Sequence, residues 1–246
     1  MTFLRSVELD EHAPGHSAGH PFDVAAIASM ASNDGALQFN RGVTVFVGDN
    51  GSGKSTLLEA IAVHQGMNAE GGARGMQFRT HDDSVSSLHE HLRVLRSSRQ
   101  PRDAFFLRAE SYFNVATAIE EYGGKSLALY GGSPHQRSHG ESFIDLVVHR
   151  FRPRSLFLLD EPEAALSVHG QLQLLVRIHD LLGEGCQFVI ATHSPLLMAY
   201  PGASIYRFDS TGIERVNWEE IDTVQITADF LANPDQFVSE LLADGD

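Results

Sequence analysis

The chain has 246 residues, of which 42% are hydrophobic and 20% charged, and its formal net charge is −14. This length allows one large α/β domain or two small ones, and the apolar share excludes a disordered chain. A protein this acidic lacks the basic charge that neutralises nucleic-acid phosphates, so we expect no nucleic-acid binding by this chain alone. The single cysteine, Cys186, excludes an intramolecular disulfide and is predicted to be a buried thiol.

Membrane and export signals are missing from the sequence. No apolar run approaches the roughly 20 residues that span a bilayer. The N-terminus lacks the charged-then-apolar pattern of a secretory signal. We therefore expect a soluble, cytoplasmic protein with no transmembrane segment of its own.

The first part of the chain predicts strands around a nucleotide-binding loop. Residues 3–9 alternate apolar and polar side chains as a strand does, residues 22–39 predict one or two more strands, and the β-branched run 43–47 predicts a buried one. Residues 48–55 then read GDNGSGKS, which fits the phosphate-loop pattern G-x-x-x-x-G-K-[ST]. After the loop, apolar residues at helical spacing between 57 and 62 predict a helix.

This loop has the chemistry of a polyphosphate site. Its glycines let the backbone turn several N–H groups inward, and the helix presents its positive end to the same anion. Lys54 is placed to reach the β- and γ-phosphates, and the Ser55 hydroxyl to ligate Mg²⁺. The predicted nucleotide-binding residues are Asn50, Gly51, Ser52, Gly53, Lys54, Ser55 and Thr56.

The middle of the chain, residues 84–150, is predicted to be mainly helical. Leu88, Leu92 and Leu95 recur at i, i+4 and i+7 and predict a helical arm over 84–99. The arginines between 93 and 108 form an Arg-dense stretch that fits a solvated helix and loop at least as well as a basic patch for nucleic acid. Residues 104–107 predict a short buried strand, and residues 110–121 and 142–150 predict helices.

The last hundred residues predict alternating strands and helices. Apolar runs at 156–159 and 187–191 predict buried strands, and a stripe between them, Leu172, Leu175, His179 and Leu182, predicts the buried face of a helix. Strands are predicted at 205–208 and 213–216, and helices around 230 and over 235–242. Buried parallel strands with helical connections predict a layered α/β fold with ligands at the carboxyl ends of the strands.

Polar residues follow these strands where such a site would lie. Asp160 is placed to hold a Mg²⁺ shell, and Glu161 to orient or deprotonate a water beside the γ-phosphate. His193 follows the next strand and is placed to contact that phosphate or water. Alone, the two acids fit strand capping and the histidine fits a structural role.

Residues 138–141, Ser-His-Gly-Glu, begin a predicted helix. Ser138 and Gly140 at a helix N-terminus offer a second anion-binding surface, while Ser138 with Glu141 also fits a capping box. The two interpretations are compatible, because an anion site needs a capped helix start.

The order of these motifs resembles the ATP-binding-cassette (ABC) ATPases, most closely the small stand-alone bacterial ATPases of the ABC-like AAA group. The resemblance implies one P-loop NTPase domain over residues 1–246. It implies a three-layer fold with a mostly parallel central sheet, an antiparallel β portion near the N-terminus, and a helical arm and signature region over about 84–150. Residues 138–141 match the signature, Asp160 and Glu161 the Walker B pair, residues 164–167 the D-loop and His193 the switch histidine.

The chain departs from the family pattern at two places. His139 and Glu141 stand in the signature where Gly and Gln are usual, and Glu110 takes the place of the Gln-loop glutamine. In this resemblance the metal ligands are Ser55, Asp160 and Glu110. The catalytic residues are Glu161, His193 and Lys54, with Ser138, Gly140 and Glu141 contacting the nucleotide.

The function that the resemblance implies is Mg²⁺-dependent ATP hydrolysis. Two copies would sandwich two ATP molecules, each phosphate loop facing the other copy's signature, and the dimer would act as a switch on an unidentified protein partner. Two alternatives stay open, the nucleotide-binding subunit of an ABC transporter and a small DNA-repair or recombination ATPase head. Against the second, the short stretch between Glu110 and Ser138 leaves no room for a long coiled coil. A non-hydrolysing ATP-binding scaffold is disfavoured by Glu161 and His193.

Overall fold

The computed structural model of the chain describes residues 2–10, 19–31, 35–39, 42–76, 86–122 and 139–243. Its strands are β1 (Leu4–Leu9), β2 (Leu37–Gln38), β3 (Val43–Gly48), β4 (Gly72–Ala73), β5 (Leu92–Arg96), β6 (Asp103–Arg108), β7 (Ser155–Asp160), β8 (Gln187–Ala191), β9 (Ser204–Asp209) and β10 (Gly212–Val216). Its α-helices are α1 (Ala25–Ser29), α2 (Lys54–His64), α3 (Tyr112–Tyr122), α4 (His139–Arg150), α5 (Val168–Gly183), α6 (Pro195–Met198), α7 (Asp222–Ala232) and α8 (Pro234–Ala243). Short 3₁₀ turns cover Ser87–His91, Pro162–Ala165 and Trp218–Glu220.

The larger sheet orders its seven strands β10-β9-β3-β8-β7-β6-β4. The five central strands are parallel, while β10 and β4 are antiparallel at the two edges. Continuous apolar runs such as LFLL in β7 form the central strands because both faces of a parallel sheet are covered. As a result, β3, β8, β7 and β6 all end at one edge, where the polar residues of the site lie.

Two apolar clusters sandwich this sheet. On one face, Val45, Phe157 and Phe188 pack in a cluster with Phe143 of α4 and Leu174 of α5. On the other face, the alternate strand residues pack in a second cluster with α2 and the smaller sheet; its members include Phe46, Leu158, Leu57, Ile61 and Leu4. The arrangement confirms the three-layer fold with a mostly parallel sheet.

The smaller sheet has the order β2-β1-β5 and is antiparallel, as expected for the β portion near the N-terminus. It is joined to the larger sheet by the buried amide of Gln187 on β8. The Gln187 Oε1 accepts hydrogen bonds from the backbone N–H groups of Phe3 and Leu4 at 2.6 and 2.9 Å. Its Nε2 donates to the Leu4 carbonyl at 3.0 Å. One side chain thus satisfies three backbone groups at the start of the chain.

The predicted helical arm over 84–99 is wrong in its second half. Residues 87–91 form a 3₁₀ turn, and Leu92 then begins β5, which pairs with β1 across Val7–Val94 and Leu9–Leu92. Pairing with β1 satisfies the backbone of both strands and turns Leu92 inward, so Leu95 is 59% exposed rather than part of a helical stripe. The leucine spacing gave a wrong prediction because Leu88 lies in the 3₁₀ turn, whereas Leu92 and Leu95 lie in β5.

Two smaller expectations also differ from the structure. Residues 22–39 hold a short helix, α1, and the two-residue strand β2. In α5 the buried face is formed by Leu174, Ile178 and Leu181, so Leu172 is exposed and the predicted stripe was rotated around the helix. The other predicted strands and helices are confirmed within a few residues, and Cys186 is buried, donating its thiol to the Arg152 carbonyl at 3.3 Å. Within the described residues, no helix is both long and apolar enough to cross a bilayer.

Candidate nucleotide-binding site

The loop between β3 and α2 adopts a backbone that only glycine tolerates. Gly48, Gly51 and Gly53 have φ angles of 138°, 78° and 99°. A Cβ placed on Gly48 would lie 2.1 Å from the Phe208 carbonyl oxygen of the neighbouring strand. The loop can therefore curl tightly at the carboxyl end of β3, as the phosphate-loop pattern predicts.

Lys54 is the first residue of α2, and its ammonium lies under the loop. The residue is only 3% exposed, and its Nζ donates to the carbonyls of Gly48 and Asp49, both at 2.8 Å, and to the Ser52 hydroxyl at 3.5 Å. Burial lowers the pKa of Lys54, and the nearby carboxylates of Glu161 and Asp160 oppose that shift. All of its hydrogen bonds go to uncharged oxygens, so its charge is not neutralised by an ion pair.

The other predicted residues of the loop lie around this ammonium. Asn50 and Gly51 are exposed at the tip of the loop, and Ser52 is half-buried. Ser55 and Thr56 follow Lys54 in the first turn of α2 and are also half-buried.

Ser55 and Asp160 meet at the candidate metal position. The Ser55 hydroxyl donates to Asp160 Oδ1 at 2.8 Å, bringing together the start of α2 and the end of β7. A hydroxyl and a carboxylate are the oxygen donors that Mg²⁺ uses beside phosphates and waters, so this pair fits the ion. Burial raises the pKa of Asp160, opposed by the Arg108 guanidinium and the Ser55 hydrogen bond.

Arg108 is the site residue that the sequence interpretation missed. It ends β6 directly opposite Asp160 in the register of β6 and β7. Its Nε donates to Asp160 Oδ2 at 3.0 Å and its Nη1 to Glu59 Oε2 of α2 at 3.0 Å. Burial alone would lower the pKa of Arg108, but Asp160 and Glu59 together raise it. The signal in the sequence was its place at the end of a buried strand.

Glu161 and His193 lie side by side next to the Ser55–Asp160 pair. Glu161 adopts the left-handed backbone conformation, with φ 47° and ψ 48°, and its N–H donates to the Ala191 carbonyl of β8 at 2.9 Å. Its Oε1 is 3.6 Å from His193 Nε2, and both side chains are partly exposed. The backbone N–H of His193 donates to Glu163 Oε1 at 2.5 Å, which ties the two strand ends together.

Glu110, the third predicted metal ligand, follows β6 in a turn and is exposed. Among the described residues, no group of three or more His, Cys, Asp or Glu side chains is gathered to hold a metal ion. Glu110 therefore forms no such cluster with Asp160 and Glu161. The residue of this segment that contacts Asp160 is Arg108.

The described part of the signature lies on a separate groove. Gly140 and Glu141 are in the first turn of α4, while Ser138 lies outside the described residues. A Cβ on Gly140 would lie 3.1 Å from the Ala165 carbonyl, within the predicted D-loop, so glycine allows a close approach there. Ser167 caps α5 by accepting from the Gly170 N–H. The groove has a volume of about 830 Å³ and is lined by residues that include Gly140, Glu141, Ser167, His169 and Gln173.

Two family models match the chain. One, described as "AAA domain", matches residues 26–108, and the other, described as "AAA domain, putative AbiEii toxin, Type IV TA system", matches residues 134–199. The first range contains the phosphate loop and Arg108, and the second contains the signature, Asp160, Glu161 and His193. No curated protein matches the chain.

Solved structures resemble the chain at low sequence identity. The chain is similar to cbiO1 from Clostridium perfringens, part of the ABC transporter complex cbiONQ, at 16% identity over 98% of this chain and 99% of that one, with a TM-score of 0.53. An SMC head domain from Thermotoga maritima matches at 14% identity over 87% and 99%, with a TM-score of 0.45. An ATP-binding cassette of an ABC transporter matches at 18% over 94% and 96%, with a TM-score of 0.49. The two AAA-domain matches, together with the fold shared with cbiO1, support an ABC-like AAA ATPase.

Proposed function

We propose that this chain binds ATP with Mg²⁺ and hydrolyses it. The observation that carries the proposal is the convergence of Lys54, Ser55, Asp160, Glu161 and His193 at one edge of the sheet. A buried, unneutralised ammonium beneath a glycine loop suits a polyphosphate, and the acids next to it suit a metal and a water. No other surface of the described chain combines these groups.

The metal would be held by the Ser55 hydroxyl and the Asp160 carboxylate, with the nucleotide phosphates and waters completing its shell. When bound, Mg²⁺ supplies positive charge against the charge that develops on the phosphates. Lys54 would donate to the β- and γ-phosphate oxygens in place of the loop carbonyls that its Nζ contacts at 2.8 Å.

Glu161 would orient and deprotonate the attacking water. The 3.6 Å separation between its Oε1 and His193 Nε2 leaves both groups able to contact the same water or phosphate oxygen. His193 would donate from Nε2 to the γ-phosphate and so respond to its loss.

Arg108 would act as a positioning residue for the metal acid. By occupying Asp160 Oδ2, it leaves Oδ1, the oxygen that faces Ser55, for the metal. This assigns the segment after β6 a different role from the one expected for Glu110, whose proposed metal contact would require that exposed side chain to turn toward the site.

The signature would complete the site of a second copy. The groove beside Gly140, Glu141 and the D-loop is open, and the start of α4 offers helix N–H groups to an anion. Ser138 would add its hydroxyl. ATP would then join two copies, and hydrolysis would release them, which makes the pair a switch on a protein partner.

The test of this proposal is a Glu161→Gln variant in the presence of ATP and Mg²⁺. Removing the base while keeping the shape of the side chain should lower turnover by about 100-fold or more. ATP binding should persist, and the variant should elute as a dimer in size-exclusion chromatography. Elution as a monomer at saturating ATP would contradict the sandwich, and unchanged turnover would contradict the role of Glu161.

A mixing experiment tests whether the signature acts on the neighbouring copy. Ser138→Arg should be inactive alone, because a bulky cation would block the shared site. Lys54→Ala should also be inactive. Mixed in equal amounts, the two variants should recover part of the wild-type turnover, since one of the two composite sites is then intact. No recovery at any ratio would argue against a shared site.

A further inference from the structure

The two C-terminal helices expose an unusual amount of apolar surface. More than half of the large hydrophobic side chains that the described chain exposes belong to α7 and α8. They range from 38% exposed for Phe230 to 72% for Leu242. We call this set the hairpin surface; it consists of Ile226, Phe230, Leu231, Val238, Leu241 and Leu242.

These residues follow helical spacing, so they form stripes rather than scattered points. Val238, Leu241 and Leu242 stand at i, i+3 and i+4 on α8, and Ile226 and Phe230 at i and i+4 on α7. The ring of Phe230 meets Phe237 edge-on at 5.7 Å between centroids, which brings the two stripes together. An apolar stripe of this kind normally faces a core or a partner.

Apart from the contact between Phe230 and Phe237, the hairpin surface stays exposed in the described part of the chain. α8 buries no residue, and α7 buries only Val224. A helix of ten residues is marginal in water unless one face is covered. We therefore expect the hairpin surface to bind a partner that covers it.

The charge around the surface indicates what kind of partner fits. From Val216 to Ala243 the chain has no Lys, Arg or His. We call the exposed acids of this span the acidic rim; they are Glu219, Glu220, Asp222, Asp229, Asp235 and Glu240. A second copy would bring two acidic rims together, and a nucleic acid or an anionic membrane would be repelled. A basic amphipathic segment complements both the apolar stripe and its rim.

We propose that the hairpin surface docks a basic amphipathic helix of a partner protein. The helix would lie along the stripes of α7 and α8 with its leucine-like side chains inward, and its Lys or Arg side chains would reach the acidic rim. Such a third helix would cover the face that the hairpin leaves open.

The base of the hairpin is attached beside the proposed γ-phosphate sensor. Trp218 Nε1 donates to the Pro195 carbonyl at 3.1 Å, and Pro195 lies two residues after His193. Ile221 and Val224 belong to the same buried cluster as Leu197 and Met198 of α6. A structural change at His193 would therefore occur two residues from Pro195, which contacts the base of the hairpin. This coupling between nucleotide and docking surface rests on the proposed function, whereas docking itself needs no nucleotide.

The test uses a labelled peptide of about 18 residues with leucines at helical spacing and lysines elsewhere. Fluorescence anisotropy without nucleotide keeps the result independent of ATP hydrolysis. The wild-type chain should bind this peptide and not its glutamate counterpart or a scrambled Leu/Lys peptide of the same composition. Equal binding of the scrambled peptide would overturn the proposal, because charge alone would then suffice.

Matched variants locate the site. Leu241→Ser with Leu242→Ser should weaken binding by about tenfold or more. The control is Val168→Ser with Val176→Ser, which removes two similarly exposed side chains from α5 and should change affinity by less than about twofold. Equal loss in both variants, or in neither, would overturn the proposal.

Charge reversal guards against a variant that has simply lost its helix. A triple variant, Asp229→Lys, Asp235→Lys and Glu240→Lys, should no longer bind the lysine peptide and should bind the glutamate peptide instead. Unfolding cannot produce this new binding. Failure to gain that peptide would contradict the role of the rim. A nucleotide-free wild-type dimer that Leu241→Ser with Leu242→Ser abolishes would instead identify a second copy as the occupant.

Discussion

The buried Lys54 and the half-buried Arg108 both lie near Asp160, and their charges have different partners. Lys54, at the start of α2, donates only to two carbonyls and a hydroxyl. Arg108, at the end of β6, donates to two carboxylates, those of Asp160 and Glu59. An ion pair offsets the charge of a cation, whereas a hydrogen bond to a carbonyl does not. The positive charge of Lys54 is therefore available to a bound anion, whereas that of Arg108 is paired with carboxylates of the protein. The comparison separates a binding cation from a positioning one.

Lys54→Ala should produce the largest effect on binding. Loss of the Lys54 ammonium should weaken the binding of a fluorescent ATP analogue by about 100-fold or more. Hydrogen bonds to charged groups contribute about 1.5–3 kcal/mol each. The free energy of unfolding should change by less than about 1 kcal/mol, because no carboxylate loses its direct partner. ATP affinity equal to wild type in a fluorescence titration would remove the phosphate-loop assignment.

Arg108→Ala should give the opposite pattern. It leaves the buried carboxylate of Asp160 and the half-buried one of Glu59 without their guanidinium. This should cost about 3 kcal/mol of unfolding free energy and lower the melting temperature by roughly 10 °C. Binding of the ATP analogue without Mg²⁺ should change by less than about threefold. If the analogue is instead lost as completely as in Lys54→Ala, Arg108 binds the nucleotide and the distinction between the two cations is wrong.

Glu59→Gln should produce the smallest effect and sharpen the comparison. The amide oxygen can still accept from Arg108 Nη1, so the unfolding free energy should fall by only about 1 kcal/mol in a urea titration. Combined with Arg108→Ala, it should cost less than the sum of the two changes, because Arg108 and Glu59 are partners. Strict additivity would indicate that the 3.0 Å contact between them has no energetic weight.

Much of the fold was predictable because the parallel strands are buried on both faces. Runs such as 43–47 and 187–191 have no other stable place than the middle of a covered sheet, and the phosphate loop between a strand and a helix has a narrow chemistry. The polar residues after β7 and β8 were found by the same reasoning. Their convergence follows from the parallel order, in which Asp160 and Ala191 are neighbours.

The rest depended on pairings between distant parts of the chain. Arg108 was read as part of a solvated basic stretch because nothing local reveals that β6 places it opposite Asp160. The edge strand β5 is predicted to be helical from its sequence because its pairing partner, β1, lies far from it along the chain. Periodicity reports which residues can share a face, but it does not report which neighbour will cover that face.

The three hydrogen bonds of Gln187 give the two sheets an order of assembly. Phe3 and Leu4 leave the ribosome well before Gln187, because the amide that satisfies their backbone lies more than 180 positions later. The β1–β5 pairing can form as soon as residue 96 has emerged, so the smaller sheet can assemble early while its link to the larger one waits for β8. A nascent chain halted before residue 187 would carry the phosphate loop and β1 without the amide that bonds the start of β1 to β8.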